Sequence, residues 1–202
     1  MSPLTTKPIY FGAFLVTPQV FHLTPLSFAL VNLKPLLPGH VLVSPLRRVP
    51  RVSDLTPSEA SDLFLEVQRV GRMVERVFGA TSLNIAIQDG VDAGQSVDHV
   101  HAHVIPRKKD DLGKGGTDRV YSMLEGDEGD VGAFLEERKR EREREAAGVN
   151  GNGEGTRRAK FPVVDDAARK PRGEDEMRKE AEWLAKEMEA DEKRGSEAGE
   201  IS

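Results

Sequence analysis

The chain has 202 residues, a formal net charge of −5 at pH 7, a charged fraction of 31% and no cysteine. The lack of cysteine excludes disulfides, cysteine-ligated zinc and a thiol nucleophile, and the acidic balance argues against non-specific nucleic-acid binding. Residues 1–105 carry equal numbers of acidic and basic side chains and all the histidines, whereas nearly half of residues 106–202 are charged. We therefore expect the fold and the chemistry to lie in the first half.

The first 45 residues predict several short strands. Runs rich in β-branched and aromatic residues cover 9–16, 20–23 and 27–32, and "HVLVSP" (40–45) follows the turn "KPLLPG". Their tight spacing is typical of hairpins, so antiparallel pairing is expected. The N-terminal residues lack the charged-then-apolar layout of a signal peptide, and no apolar run approaches the roughly 20 residues that span a bilayer. We expect a soluble intracellular protein with no membrane partner.

Residues 54–79, "DLTPSEASDLFLEVQRVGRMVERVFG", predict the longest helix. Thr56 with Glu59 forms a capping box, Pro57 suits the first helical position, and Gly79 ends the helix. Apolar residues recur at steps of three and four and predict one buried face, formed by Ala60, Leu63, Phe64, Val67, Val70, Val74, Val77 and Phe78.

Two further strands are predicted in "SLNIAIQDG" and "DHVHAHVIP", joined by the glycine-containing loop 90–97. We therefore predict an α+β catalytic domain over residues 1–121, with an antiparallel sheet of about five strands, one long helix and a C-terminal helix. Residues 122–173 are too charged and too rich in glycine to form a core, and we expect them to be disordered. Residues 174–190 predict an amphipathic helix that docks on the domain, and residues 191–202 a tail.

"HVHAHVIPR" (99–107) places His99, His101 and His103 at alternate positions. Residues two apart in a strand lie on one face, about 6.5–7 Å apart. Three interpretations remain open: a solvent-exposed row, a metal site, or a catalytic row. A zinc ion binds imidazole nitrogens at about 2.0–2.1 Å, so three ligands spread along one strand converge poorly, and His40 or a distant acid would have to assist. A neutral imidazole is also a good nucleophile, and neighbouring rings could bind phosphate oxygens.

The motif His-φ-His-φ-His-φ-φ, in which φ is apolar, resembles the signature of the histidine triad superfamily of nucleotide hydrolases and transferases. "LSFALVNLKPLLPGHVLVSPLR", "DLFLEVQRVG", "TSLNIAIQDGVDAGQSVDHVHAHVIPRK" and the terminal "EDEM" resemble its fragile histidine triad branch, the dinucleoside triphosphate hydrolases. The resemblance covers about residues 9–121 and 174–190. It implies the histidine triad fold and a homodimer with a continuous sheet.

The resemblance implies hydrolysis of diadenosine triphosphate to AMP and ADP, with His101 as the nucleophile that forms an AMP-histidine intermediate. His99 and His103 would orient His101 and contact phosphate oxygens, and His40 would support their hydrogen bonds. Gln95 would assist the leaving group and the attacking water. No organic cofactor is implied, and Mn²⁺ or Mg²⁺ would accompany the polyphosphate rather than bind the histidines.

The resemblance also implies a set of substrate-binding residues, with Asn32 at the ribose: Asn32, Gln88, Gly94, Gln95, Ser96, Val97 and His103. Ala13 and Phe14 depart from relatives, which can carry a polar pair there that includes a histidine. A phosphoramidase of the same superfamily, or a nucleotide-binding signalling protein with slow turnover, remains an alternative. A cytoplasmic location, extending to the nucleus, is expected.

Overall fold

Hairpin-forming sequences near the N-terminus and around the histidine motif build the central sheet of the computed structural model. The structure describes residues 5–113, 116–125 and 172–199, and single positions at 132, 135, 136, 139, 140, 143 and 144. The strands are β1 (Tyr10–Phe11), β2 (Phe14–Leu15), β3 (Val20–Leu23), β4 (Ser27–Val31), β5 (Val41–Pro45), β6 (Ser82–Ile87) and β7 (Ala102–Arg107). The helices are α1 (Pro57–Phe78), α2 (Arg119–Glu125) and α3 (Glu174–Gly199).

Strands β3 to β7 form one sheet in the order β3-β4-β5-β7-β6, and every neighbouring pair is antiparallel. This confirms the α+β prediction with five antiparallel strands. Strand β7, which carries the end of the histidine motif, is internal and lies between β5 and β6. None of the helices in the described part of the chain is long and apolar enough to cross a membrane.

The predicted strand over residues 9–16 is instead a separate two-stranded hairpin, β1–β2. Gly12 lies in its turn with φ +59°, a conformation that favours glycine. A Cβ built on Gly12 would lie 2.7 Å from Cγ1 of Val97, so the turn packs closely against the loop that precedes the histidines. The prediction of one strand was wrong because periodicity does not distinguish a strand from a tight hairpin.

Helix α1 has the predicted ends. Thr56 and Glu59 form both halves of the capping box, and Gly79 adopts the left-handed conformation that ends the helix. The buried face includes Leu63 and Val70, but Phe64 is 51% exposed.

Helix α3 packs on α1 and β3. Its predicted apolar stripe of Met177, Ala181, Leu184 and Met188 is buried. At its outer edge the rings of Trp183 and Phe78 lie 5.6 Å apart, and Arg76 pairs with Glu187 and Asp191. The helix continues to Gly199, past its predicted end at residue 190. The segment expected to be disordered lies mostly outside the described residues.

His22 joins β3 to both helices. Its Nδ1 lies 2.6 Å from Oε1 of Glu66 on α1, and its Nε2 lies 3.1 Å from Oε1 of Glu192 on α3. Because two carboxylates accept from the two ring nitrogens, both nitrogens carry protons. Burial lowers the pKa of His22, but hydrogen bonds and charge from the two glutamates raise it more, so that its net pKa lies above the ordinary value.

Candidate active site

The histidine motif enters the sheet only at its end. Strand β7 begins at Ala102, so His99 and His101 precede it, whereas the sequence predicted that all three histidines lie in a strand. All three are buried, with exposed fractions of 0%, 2% and 0% along the chain. This excludes the solvent-exposed row. The rings of His101 and His103 have their centroids 5.0 Å apart.

His101 is held with a lone pair on Nε2. Its Nδ1 lies 2.8 Å from the carbonyl oxygen of His99, and because a carbonyl only accepts, Nδ1 carries the proton. Burial lowers the pKa of His101, which keeps the ring neutral. Among the described residues, no hydrogen bond uses its Nε2. The ring of Phe11 meets His101 edge-on at 5.0 Å and restricts its rotation. The middle histidine therefore presents an oriented, unprotonated nitrogen.

His99 has both nitrogens engaged within the protein. The N–H of Gly12 donates to its Nδ1 at 3.0 Å, so Nε2 carries the proton and donates to the carbonyl of Pro45 at 2.8 Å. Burial lowers the pKa of His99 to about 4. Both nitrogens of His99 are thus used within the protein, so the expected contact with a phosphate oxygen, which stays a prediction, would require one of them to exchange its partner. Its contribution is to orient His101 through its carbonyl.

His40 and His103 form a hydrogen-bond relay in which the position of each ring proton is defined. The N–H of Leu36 donates to Nδ1 of His40 at 3.1 Å, so its Nε2 carries the proton and donates to Nδ1 of His103 at 3.0 Å. The proton of neutral His103 consequently lies on Nε2. That atom is buried and has no hydrogen-bond partner among the described residues. Burial, with His101 and His40 nearby, holds the pKa of His103 well below its ordinary value.

These assignments disfavour the zinc interpretation. Within the part of the chain that the structure describes, Nε2 of His101 is the one unprotonated ring nitrogen of His40, His99, His101 and His103 that no hydrogen bond uses. Nε2 of His103 is also unpartnered, but it carries a proton. In the part of the chain that the structure describes, no group of three or more His, Asp or Glu residues is arranged to hold a metal ion. A lone pair beside an N–H donor suits attack on phosphorus with stabilisation of a phosphate oxygen.

The loop before the histidines is tied to its surroundings by Gln95. Its Oε1 accepts from the N–H of Gly90 at 2.8 Å, and its Nε2 donates to the carbonyl of Pro50 at 2.9 Å. The N–H of Gly94 donates to Val91 within a turn at 3.0 Å. The side-chain amide of Gln95 and the N–H of Gly94 are therefore both hydrogen-bonded within the protein. To contact a substrate, each would have to exchange its present partner.

The other loop residues lie close to this turn. Ser96 is exposed, and its Oγ accepts from the N–H of Gly132. Val97 is buried. Gln88 lies at the end of β6, where its amide donates to the carbonyl of Leu124 at 3.2 Å. The structure therefore places Gln88 beside Gly94 of the loop and directly after Ile87, which pairs with Ala102 of the histidine motif.

Asn32 lies beside the relay. It is buried, its Oδ1 accepts from the N–H of Lys34 at 3.1 Å, and its Nδ2 is 3.4 Å from Nε2 of His40. Since Nε2 of His40 and Nδ2 of Asn32 both carry protons, neither can accept a hydrogen bond, and the 3.4 Å contact adds little stabilisation. The N–H of Lys34 thus holds the side chain of Asn32 at the edge of the site.

An open cavity of about 400 Å³ adjoins the loop 90–97 that precedes the histidines. Its lining includes Gly12, Phe14, Arg48, Ser96 and Val97. Ala13 and Phe14 thus both line the cavity. The cavity offers space for a ligand beside the loop that leads to the histidines.

Comparison with known proteins agrees with this architecture. Residues 8–110 match the HIT domain family. The chain is 50% identical over 179 residues to a bis(5'-nucleosyl)-tetraphosphatase (asymmetrical) of Schizosaccharomyces pombe, covering 88% of this chain and 93% of that one. It is 54% identical over 117 residues to a bis(5'-adenosyl)-triphosphatase of Dictyostelium discoideum, covering 57% and 77% of the two chains.

Two solved structures are also similar. The Plasmodium falciparum diadenosine triphosphate hydrolase is 33% identical with a TM-score of 0.53, covering 68% of this chain and 90% of that one. The Caenorhabditis elegans NitFhit protein is 44% identical with a TM-score of 0.52, and the match covers 58% of this chain but only 29% of that longer one. With its family match, its relatives and its buried histidine motif, the chain belongs to the HIT domain family.

Proposed function

We propose that this protein hydrolyses dinucleoside polyphosphates, cleaving diadenosine triphosphate to AMP and ADP through an AMP-histidine intermediate on His101. The observation that carries the proposal is the hydrogen bond from Nδ1 of His101 to the carbonyl of His99, which leaves the lone pair on Nε2. Relatives at about half identity are named as hydrolases of such compounds, which supports the choice of substrate.

The reaction has two displacements at the same phosphorus. Nε2 of His101 attacks the α-phosphorus, an N–P bond forms, and the bond to the bridging oxygen breaks to release ADP. Water then attacks the phosphorus, the N–P bond breaks, and AMP leaves with the water oxygen. Covalent catalysis divides one difficult displacement into two easier ones. The N–H on Nε2 of His103 would donate to an oxygen of the reacting phosphate.

The neutral histidines leave the charge of the polyphosphate to be balanced from elsewhere. Burial lowers the pKa values of His99, His101 and His103, so the row supplies hydrogen bonds and a lone pair rather than positive charge. The substrate would therefore enter as its Mg²⁺ or Mn²⁺ complex, in which the cation is bound by phosphate oxygens.

The replacement His101→Asn tests the nucleophile. We expect AMP and ADP from the wild type, loss of turnover in the variant, and retained substrate binding by calorimetry. Acid quenching of wild-type protein with labelled substrate should trap label on the chain, and the variant should remain unlabelled. Undiminished turnover by the variant would exclude the covalent route.

The length of the polyphosphate chain is a second question, because the Schizosaccharomyces pombe relative is named as a tetraphosphatase. The same attack on diadenosine tetraphosphate would release ATP instead of ADP. Parallel measurement of kcat/KM for both compounds and for a nucleoside phosphoramidate separates these activities. If turnover of all three is slow compared with dissociation of the bound nucleotide, the signalling alternative is favoured.

We also expect a homodimer, as the family resemblance implies. Strand β6 lies at the edge of the sheet, and Ile85 on it is 50% exposed. Phe64 and Leu65 on α1 are 51% and 58% exposed, and an apolar groove joins α1 to β6. These features are what a second copy would cover while extending the sheet.

A further inference from the structure

Arg172 lies far along the chain from the histidine motif and outside the HIT domain match, yet it contacts the site. Its backbone N–H donates to the carbonyl of Leu33 at 3.0 Å, and its Nε donates to the carbonyl of Asn32 at 3.1 Å. Its Nη2 also donates to the carbonyl of Asn32, and its Nη1 pairs with Glu180 on α3.

Arg172 supplies donors where the sheet stops. The pairing of β4 with β5 ends at Val31, so the next two carbonyls, of Asn32 and Leu33, lie beyond the ladder. Buried carbonyls need donors, and Arg172 provides them from a half-buried position with its guanidinium fixed by Glu180. The start of the loop that follows β4 is therefore anchored to the segment before α3.

The same loop sets the protonation of the relay. Asn32 accepts from the N–H of Lys34, and the N–H of Leu36 donates to Nδ1 of His40. That last hydrogen bond forces the proton of His40 onto Nε2, which in turn forces the proton of His103 onto Nε2. A displacement of the loop would remove the donor on which both assignments depend.

We propose that Arg172 is a positioning residue, which anchors residues 32–36 so that His40 and His103 keep their protons on Nε2. Its effect on protonation is a property of the folded protein, whereas its effect on catalysis rests on the proposed function. The inference thus gives the segment before α3 a direct part in the active site, through hydrogen bonds rather than through contact with substrate.

The first test is the protonation itself, measured by ¹H–¹⁵N correlation spectra of the imidazoles in the full-length chain. With five histidines the spectrum is small. In the wild type we expect signals of His40 and His103 with the proton on Nε2, and in Arg172→Ala we expect exchange broadening or a mixture of tautomers for both. Arg76→Ala is the matched control, because Arg76 also holds α3, through Glu187 and Asp191, but does not contact the loop.

The second test is turnover of diadenosine triphosphate as a function of pH. In Arg172→Ala we expect kcat to fall by about ten- to a hundredfold, because small misplacements of catalytic groups have effects of this size. We expect the acid limb of the kcat/KM profile to move to higher pH, since water admitted beside His103, His40 and His101 relieves the burial that lowers the pKa of His103. Arg76→Ala should leave the profile and kcat unchanged.

Conservative variants separate positioning from a general loss of structure. Arg172→Lys keeps the positive charge and N–H donors, but a single nitrogen replaces the three guanidinium nitrogens that contact Asn32 and Glu180 separately, so only part of the activity should return. If Arg172→Ala does not fold, Glu180→Gln, which frees the guanidinium, should show the same changes to a smaller extent.

Two sets of results would overturn the inference. One is that Arg172→Ala leaves the imidazole signals and the pH profile of kcat/KM unchanged, and the other is that Arg76→Ala changes them as much as Arg172→Ala does. An inactive wild type, or an active His101→Asn variant, would instead refute the proposed function, and the spectra would still decide the role of Arg172.

Discussion

The hydrogen bond from His40 to His103 can be removed by one substitution and retained by another. In His40→Asn, the side-chain oxygen can still accept from the N–H of Leu36, but the shorter side chain does not reach His103. In His40→Gln, the amide nitrogen reaches the place of Nε2 and can donate to Nδ1 of His103. Each variant therefore keeps one of the two contacts of His40: His40→Asn keeps the acceptor for the N–H of Leu36, and His40→Gln keeps the donor to His103.

The structure sets the size of the effect. The hydrogen bond is 3.0 Å long, and the exposed fractions of His40 and His103 are 2% and 0%, so water cannot replace a lost partner. Leaving a buried group unsatisfied costs about 1–3 kcal/mol. If the transition state bears this cost, formation of the AMP-enzyme slows by about 5- to 150-fold.

Rapid-quench measurement of a single turnover of diadenosine triphosphate gives this rate directly. We expect His40→Asn to show the full loss and His40→Gln to recover most of the wild-type rate. Thermal unfolding of both variants controls for stability. A rate in His40→Asn close to that of the wild type, or above that of His40→Gln, would refute the claim that a donor to His103 matters for catalysis.

Three other predictions concern the fold and its assembly. Thr56→Ala removes half of the capping box of α1 and should lower the free energy of unfolding by about 1 kcal/mol in urea, so an unchanged midpoint would contradict the cap's contribution. Ile85→Glu places a charge on the exposed edge strand and should give a monomer by light scattering if the wild type is a dimer, whereas a variant that stays dimeric would place the interface elsewhere. The raised pKa of His22 means that the stabilisation from Glu66 and Glu192 is complete below its unfolded value of 6.5 and is lost as pH rises through the folded value. Urea unfolding of the wild type and of His22→Gln across this pH window should show a difference in stability that disappears at alkaline pH. A constant difference would contradict a charged His22 held by Glu66 and Glu192.

The parts of the fold that the sequence predicted correctly depend on neighbouring residues. The ends of α1 follow from Thr56, Glu59 and Gly79, which act within one turn of the helix, and the buried stripe of α3 follows from periodicity. The histidine motif, together with "GQSVDH" before it and "NLKPLLPGH" upstream, indicated the family. Such local signals were sufficient for the family and for the five-stranded sheet, whereas the roles of the individual site residues stay predictions.

Contacts between distant backbone groups gave no such signal. Pro45 contributes only its carbonyl to His99, and Leu36 contributes only its N–H to His40, so neither role depends on the type of side chain. The turn at Gly12 is a partial exception, since a glycine between apolar residues suggests a bend, but not which histidine its N–H meets. Arg172 was missed because the segment around it is charged throughout.

Equal spacing in the motif predicts equal environments, but the partner at each Nδ1 makes the three rings different. A neutral imidazole has one proton, so a donor at Nδ1 places the proton on Nε2, and an acceptor at Nδ1 leaves Nε2 bare. His99 meets a donor from Gly12, His103 meets a donor from His40, and His101 alone meets an acceptor. Only the middle ring can therefore attack through Nε2 while its neighbour donates. Exchange of the roles of His101 and His103 would require reversal of both contacts, and the one at His101 is made by the backbone carbonyl of His99, which a change of side chain does not replace.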